Sequence, residues 1–461
     1  MNRRSFLFVS LAGAAGRAGW AAESGPFVSS DVGELKSVLV HTPGKEGRRG
    51  LGLGQGSASL GNQPLSEEAA EEHRAFTQAL RQGGAETVEI RQVLDEAATA
   101  ARSKGALQPW LRAWMPAMAP YESDVNGEVL LGAVDKFAYH TDPEGDFLPL
   151  NEPVRSIYFS RDAGVMTPKG MVICNFLNEG RTIEAALYRF MFDHAPRFAK
   201  FPVVFDAGEQ RVTLEGGDMM VVDPRTIFLG VGNRTNPAAA RRLAQALGMD
   251  VLAVQMPSGG NSKRWSDPAT RTPVHNLMLH LDTIATFVDR KKVLTLPWFL
   301  ESKYEGKDPL TRMLRGLAKS PRVADGDVEK MCSALKDLGK VKLFRAGSGD
   351  QDRSVDGMKL VDYLRARGYD VIFTGGDRPA DTEPFEDIAQ FTSEVVIREL
   401  HGQGANVVAT GPGKVVAYGG NPRTMAALKK AGVEVTTFRG VELGRNNGGP
   451  HCMTMPLERK P

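Results

Sequence analysis

The strongest constraint on this chain is a repeated alternation of short β-branched runs with helical stretches. Lys36–His41 reads as a strand, closed by the turn signal Thr42-Pro43-Gly44. Glu46 to Pro64 is rich in Gly and Ser and is expected as a loop. Ser66–Leu80 is predicted helical, with Ser66 as N-cap and Glu67 and Glu68 at the positive end of the dipole. A strand is expected at Glu86–Ile90, then mostly helix from Gln92 to about Met118, interrupted near Gly105 and Pro109. Comparable units follow. Thr226–Gly230, Pro237–Leu247 and Asp250–Val254 form one, and Met358–Arg367 with Asp370–Phe373 another. Ala405–Ala409, Val415–Tyr418, Pro422–Ala431 and Val433–Thr437 form a further one. Units of similar size without strict sequence repetition fit a repeating α/β architecture. Periodicity alone does not separate that from a doubly wound sheet.

With 57 Lys+Arg against 55 Asp+Glu in 461 residues, the net charge of +2 excludes the basic excess of a nucleic-acid binder. Three cysteines without a CxxC pair exclude a disulfide framework. The first 22 residues read as an address. Arg3-Arg4-Ser5-Phe6-Leu7 opens a short Gly/Ala-rich apolar run that ends in small residues, the pattern of a cleaved leader. The arginine pair resembles a twin-arginine signal, which a receptor reads and which exports folded cargo. Residues 1–22 are therefore expected to be a signal peptide and 23–461 the mature protein, periplasmic or secreted. Removing three arginines takes the net charge to −1. No other stretch reaches the ~18 apolar residues that span a bilayer, so no stable membrane association is expected after cleavage. A homo-oligomer stays open.

Three segments carry chemistry. Near the C-terminus, Gly448-Gly449-Pro450-His451-Cys452-Met453 sets a cysteine on a glycine-flanked turn, where backbone approaches a ligand closely. Leu279-His280-Leu281-Asp282-Thr283 spaces His and Asp two apart, which on a strand would put both on one face. With His275 the same residues fit a metal site of the form H-x4-H-x-D. Val212–Val222 carries Glu215 and Asp218 around Gly216-Gly217 inside an apolar strand pattern, the mark of a bulge or close backbone approach. Ser156–Asp162 reads as a strand ending in a carboxylate.

In this order, the Glu-Gly-Gly-Asp, His-Leu-Asp-Thr and Gly-Gly-Pro-His-Cys-Met-Thr-Met-Pro strings resemble the arginine deiminase branch of the guanidino-modifying enzymes. The similarity runs from Val38 to Pro456. It implies a fivefold pseudosymmetric α/β propeller of ββαβ units, with a helical insertion at about 66–150. It implies Cys452 as nucleophile, His280 as general acid/base and Glu215 beside it. Asp162 and Asp282 would grip the guanidinium, since carboxylates accept paired N–H bonds and fix its plane. Arg181 and Arg234 match positions that hold the substrate α-carboxylate. Asp218 joins the substrate-binding set, and Phe159 could face the guanidinium as a cation–π partner. No metal or organic cofactor is implied, which displaces the metal reading.

The chain departs from the family pattern at the amino-acid end. Asn447 stands where a third arginine is expected, two residues after Arg445, and Ser156 stands where Asn is common. Leu60–Pro64 replaces an acidic Phe-Asp-Asp segment. L-Arginine is the expected substrate, and Asn447 would meet its tail. A dimethylarginine-type hydrolase, an amidinotransferase, another guanidine deiminase and a non-catalytic guanidino-binding periplasmic protein are the alternatives. Cys174 and Cys332 are expected to be structural, and Met219-Met220 to be core.

Overall fold

The computed structural model describes residues 27–49, 64–257, 277–317, 319 and 325–461. The expected leader, His275 and the segment Leu60–Gln63 lie outside these residues.

The first strand, Glu34–Val40, is buried along nearly its whole length because it is central in its sheet. It pairs antiparallel with the C-terminal strand Met455–Lys460 and parallel with Glu86–Glu89. One antiparallel and one parallel neighbour recur in four further sheets. Gly164–Thr167, Gly170–Ile173 and Val203–Asp206 make one. Met219–Asp223, Thr226–Val231 and Asp250–Gln255 make the next, which Val341–Phe344 and Gln351–Asp352 extend to five strands. Ala285–Asp289, Lys292–Thr295 and Asp370–Phe373 follow. Val408–Gly411, Lys414–Tyr418 and Glu434–Phe438 complete the set. The molecule is thus a mixed α/β fold.

Each parallel pair needs a crossover, and helices supply it. Pro237–Leu247 illustrates why they form where they do. Asn236 accepts a hydrogen bond from the Ala239 N–H, Pro237 takes the first helical position, and Gly248 ends the helix in the left-handed region with φ 60°. The helix buries Ala239, Ala240, Leu243, Ala244 and Leu247. Helix Glu68–Gln82 has the same task, leading from Glu34–Val40 to Glu86–Glu89. It therefore belongs to the first sheet, and the helices from Ile90–Ser103 onward form a separate group that packs on Thr182–His194. The predicted strands at 226–230, 250–254, 370–373 and 415–418 all form. Among the described residues no helix is long and apolar enough to cross a membrane.

Three expected strands do not form as read. Ser156–Asp162 is a 3-10 turn at Arg155–Tyr158 followed by further turns, with Phe159 N–H donating to Ser156 O and Asp162 N–H to Phe159 O. Two of its polar groups face the cysteine loop: Arg161 N–H donates to Cys452 O and Ser160 Oγ to Met453 O. His280 and Asp282 lie on a short helical turn, Leu281–Ile284, with His280 as N-cap. The Leu281 N–H is taken by Asp218 Oδ1 at 3.0 Å, and Thr283 Oγ1 donates to His280 O at 2.7 Å, so neither residue enters a ladder. The Glu-Gly-Gly-Asp string is likewise a turn, Gly216–Asp218, and the strand starts only at Met219.

These corrections share a cause. Asp162, Glu215 with Asp218, His280 with Asp282, Asn406 and Cys452 each lie just ahead of an antiparallel edge strand of one of the five sheets. Five strand-entry loops converge on one place.

Candidate active site

Cys452 sits at the centre of that convergence, 3% exposed. Its Sγ donates to Asp282 Oδ2 at 3.3 Å, and Asn406 Nδ2 donates to Sγ at 3.0 Å. Burial, then Asp282 and Asp162, hold the thiol well above its ordinary pKa. In the free protein at neutral pH it is a thiol, not a thiolate.

The cysteine loop is built by glycines. A Cβ on Gly448 would run into the Phe159 ring, and one on Gly449 would meet Asn406 at 2.7 Å. Phe159 is itself buried against Tyr158, with ring centroids 4.1 Å apart, and forms a wall beside this loop. Asn447 has a left-handed backbone, φ 60° and ψ 42°, which Asn tolerates better than most residues. Asn406 was not singled out from sequence. Besides Sγ, its amide donates to Asp282 O and accepts from the His451 N–H, so one side chain ties three loop segments together.

His280 is 1% exposed, and its Nε2 lies 2.9 Å from Glu215 Oε2. Burial works against its charge, but Asp162, Glu215 and Asp218 outweigh burial and raise its pKa to about 9. Glu215 falls to about 2: burial opposes the shift, and Arg234 and His280 overcome it. Arg234 Nη1 donates to Glu215 Oε2 at 2.8 Å. The imidazole packs flat on Gly217, where a Cβ would meet Nδ1 at 2.5 Å. Asp218 spends one oxygen on Leu281 N–H and the other on Thr235 Oγ1, so it braces the His280 turn. Burial lifts its pKa to about 7.

Asp162 accepts from Arg181 Nη1 at 2.8 Å through Oδ2, and its Oδ1 is buried with no hydrogen-bond partner. Asp282 is similar: Oδ2 takes the thiol and His451 Nδ1, and Oδ1 is buried without a partner. Arg181 is also clamped by Glu184 through Nε at 2.8 Å and Nη2 at 2.7 Å, and lies over the Phe176 ring. Ser156 touches this group through its carbonyl, 3.5 Å from Arg181 Nη2. Glu184 follows Arg181 by three residues on one helical face, a spacing that could have pointed to it.

All the catalytic residues inferred from sequence thus lie in one connected buried network. A protein-family model described as arginine deiminase matches residues 134–307 and 388–459, more than half of the chain. The chain belongs to the arginine deiminase family. Among curated arginine deiminases, that of Mycobacterium marinum is 28% identical, with 94% of this chain and 98% of the relative covered. That of Rhodococcus erythropolis is 27% identical over 94% and 97%. Among solved structures, DDAH from Pseudomonas aeruginosa complexed with citrulline aligns with 92% of this chain and 99% of its own, at 15% identity and TM-score 0.47. SxtG, an amidinotransferase from Microseira wollei, aligns over 94% and 97% at 14% identity and TM-score 0.47.

Proposed function

We propose that this enzyme hydrolyses the guanidino group of L-arginine to give citrulline and ammonia. One observation carries the reading. Two buried carboxylates, Asp162 and Asp282, each present an oxygen that accepts no hydrogen bond beside a buried thiol, with a charged imidazole alongside, 3.8 Å from the Asp162 oxygen. Unpaired buried carboxylate oxygens are costly, and a planar cation with paired N–H groups is the ligand that relieves both.

The chemistry follows from the charges. Entry of the guanidinium cancels the two negative neighbours that hold the Cys452 proton, so the thiol releases its proton to solvent as substrate binds. The thiolate attacks the guanidinium carbon and forms a neutral tetrahedral adduct. His280, protonated at neutral pH, gives its proton to the departing nitrogen, and ammonia leaves. Cys452 is then a cationic thiouronium. Neutral His280 takes a proton from water, hydroxide adds, and collapse of the neutral adduct expels the sulfur, which takes the adduct's hydroxyl proton, so a thiol and the neutral ureido product result. His280 ends protonated, as it began. Glu215 supports the imidazolium through the 2.9 Å contact.

Arg181 and Arg234 would serve the substrate α-carboxylate. Arg181 Nη1 uses one N–H on Asp162 and carries a second. Phe159 and Asn447 would border the substrate tail. Two finer points belong to the same reading. Five sheets with one pairing pattern, whose entry loops meet at the site, support a fivefold pseudosymmetric propeller. Residues 1–22 support export by the twin-arginine machinery to the periplasm or beyond.

The test is ammonia and citrulline release from L-arginine by the mature protein, with Cys452→Ala as control. Stoichiometric release by the wild type and none by the variant is expected. Transfer of the amidino group to an added amine without ammonia would redirect the reading to an amidinotransferase. No turnover by folded protein would remove L-arginine as substrate.

A further inference from the structure

A second histidine touches the reacting centre. His451, directly before the nucleophile, is 4% exposed, and its Nδ1 lies 2.9 Å from Asp282 Oδ2. The same oxygen accepts from Cys452 Sγ. A carboxylate only accepts, so Nδ1 carries the proton. On the far side of the ring, Nε2 faces Asp31 Oδ2 at 3.8 Å, and Asp31 Oδ1 lies 3.7 Å from Arg161 Nη1. Asp31 and Arg161 are both buried, and Arg161 hangs between Ser160 and the substrate-facing Asp162. The main chain closes the arrangement: His451 N–H donates to Asn406 Oδ1, and Arg161 N–H to Cys452 O.

We infer that His451 is a positioning residue for Asp282, backed by Asp31 and Arg161. Asp282 has two duties that a freely turning carboxylate would confuse. Oδ2 must stay with the thiol, and Oδ1 must stay open to the guanidinium. The Nδ1–H bond distinguishes the two oxygens and fixes the carboxylate plane. Once Cys452 is a thiolate, Oδ2 and Sγ are adjacent anions, and the same N–H keeps Oδ2 from swinging away. His280 has no part in this. It stands across the site on Glu215, so the reaction uses two histidines with separate tasks.

The inference rests on the deiminase reading, and the experiment separates the two. Two electrophiles report on the thiol. Chloroacetamidine carries a planar cation that needs an oriented Asp282, and iodoacetamide is neutral and does not. The wild type should react with the cationic probe in clear preference. His451→Leu, checked for an unchanged melting temperature, should lose that preference by about tenfold, the scale of one hydrogen bond to a charged group. Its iodoacetamide rate should change much less. His451→Asn places an amide N–H near the Nδ1 position and should restore the preference and the turnover of L-arginine. Full preference in His451→Leu, or an Asn variant as poor as the Leu variant, would overturn the positioning role. Absence of both amidine preference and arginine turnover in the wild type would instead overturn the deiminase reading. If His451→Leu does not fold, Asp31→Asn is the second variant. It should weaken the amidine preference without altering the iodoacetamide rate, and equal slowing of both probes would count against the inference.

Discussion

At the residue scale, the site is a set of charges each of which depends on its neighbours. Cys452 is a thiol at rest because burial and two carboxylates oppose its anion. Alkylation of the free enzyme by iodoacetamide should therefore keep rising with pH beyond 9 without a plateau. A bound guanidinium that does not react should lower the pH at which the proton leaves, read as proton release in unbuffered solution. A plateau near neutral pH in the free enzyme would contradict this. His280 is charged because carboxylates outweigh burial, and Glu215 is the one in hydrogen-bond contact. Glu215→Gln removes a negative neighbour, so the His280 pKa must fall. The alkaline limb of kcat/KM, expected near 9, should move down by one to two units, about what a paired carboxylate contributes. An unmoved limb would show that another group sets it. Cys452, His280, Glu215 and Asp282 could be singled out from the sequence because ordered motifs carry them, and Asp162 only through the resemblance. Asn406 could not, because one amide in Ala-Asn-Val-Val-Ala has no local signature, and its value comes from three partners distant in the chain.

At the scale of elements, strands and crossover helices were legible from β-branched runs and helical stretches, although Glu67 rather than Ser66 caps Glu68–Gln82, and the site segments were not. Ser156–Asp162 and Leu281–Ile284 look like strands because apolar and polar residues are interspersed, and Gly216–Asp218 because it lies inside the apolar run Val212–Val222. They turn because loop carboxylates and carbonyls take their N–H groups, as Asp218 takes Leu281 N–H. A polar side chain that competes for backbone donors is invisible to periodicity. The turn after the first strand depends on a similar device. His41 Nε2 meets Glu46 Oε1 at 2.9 Å with both side chains 1% exposed, and Glu46 Oε1 also accepts from the Gly44 N–H. Burial opposes both charges, yet Glu46 and Glu89 lift His41 to about 9, and His41 brings Glu46 down to about 2. The raised histidine contributes stability fully below 6.5 and loses it as pH rises through about 9. The depressed carboxylate contributes above 4.5 and loses it as pH falls through about 2. The pair is thus fully effective between 4.5 and 6.5. His41→Ala should cost about 3–5 kcal/mol in that window, because it strands a buried carboxylate. Denaturant unfolding at several pH values checks this, with the difference from wild type shrinking above pH 9. A constant difference across pH would mean that packing rather than charge holds the turn.

At the scale of the whole molecule, the chain closes on itself. Met455–Lys460 pairs with Glu34–Val40, so the first and last described strands share one sheet. The repetition of units was legible in the sequence. That the last strand completes the first unit was not, since nothing local links residues four hundred apart. The cysteine loop depends on this closure, because Cys452 lies three residues before the C-terminal strand. Met455 and Leu457 are fully or nearly fully buried there, each contributing about 2 kcal/mol. Arg459 Nη1 reaches Gly33 O and Ala409 O, tying the strand to the first unit and to the strand Val408–Gly411 that follows Asn406. Truncation after Thr454 should therefore do more than trim an end. It removes an edge strand from a three-strand sheet, leaves the central Glu34–Val40 with an open edge, and frees the cysteine loop on one side. The truncated chain is expected to lose cooperative unfolding and all thiol protection. Deletion of residues 1–22, which lie ahead of every described strand, should leave melting temperature and turnover as they are. The two deletions of similar purpose at opposite ends thus have opposite expected outcomes, read by calorimetry and by iodoacetamide labelling of Cys452. A folded, thiol-protected protein lacking its last strand would mean that the first sheet does not need closing, and that the catalytic loop is held by Asn406 and Arg161 alone.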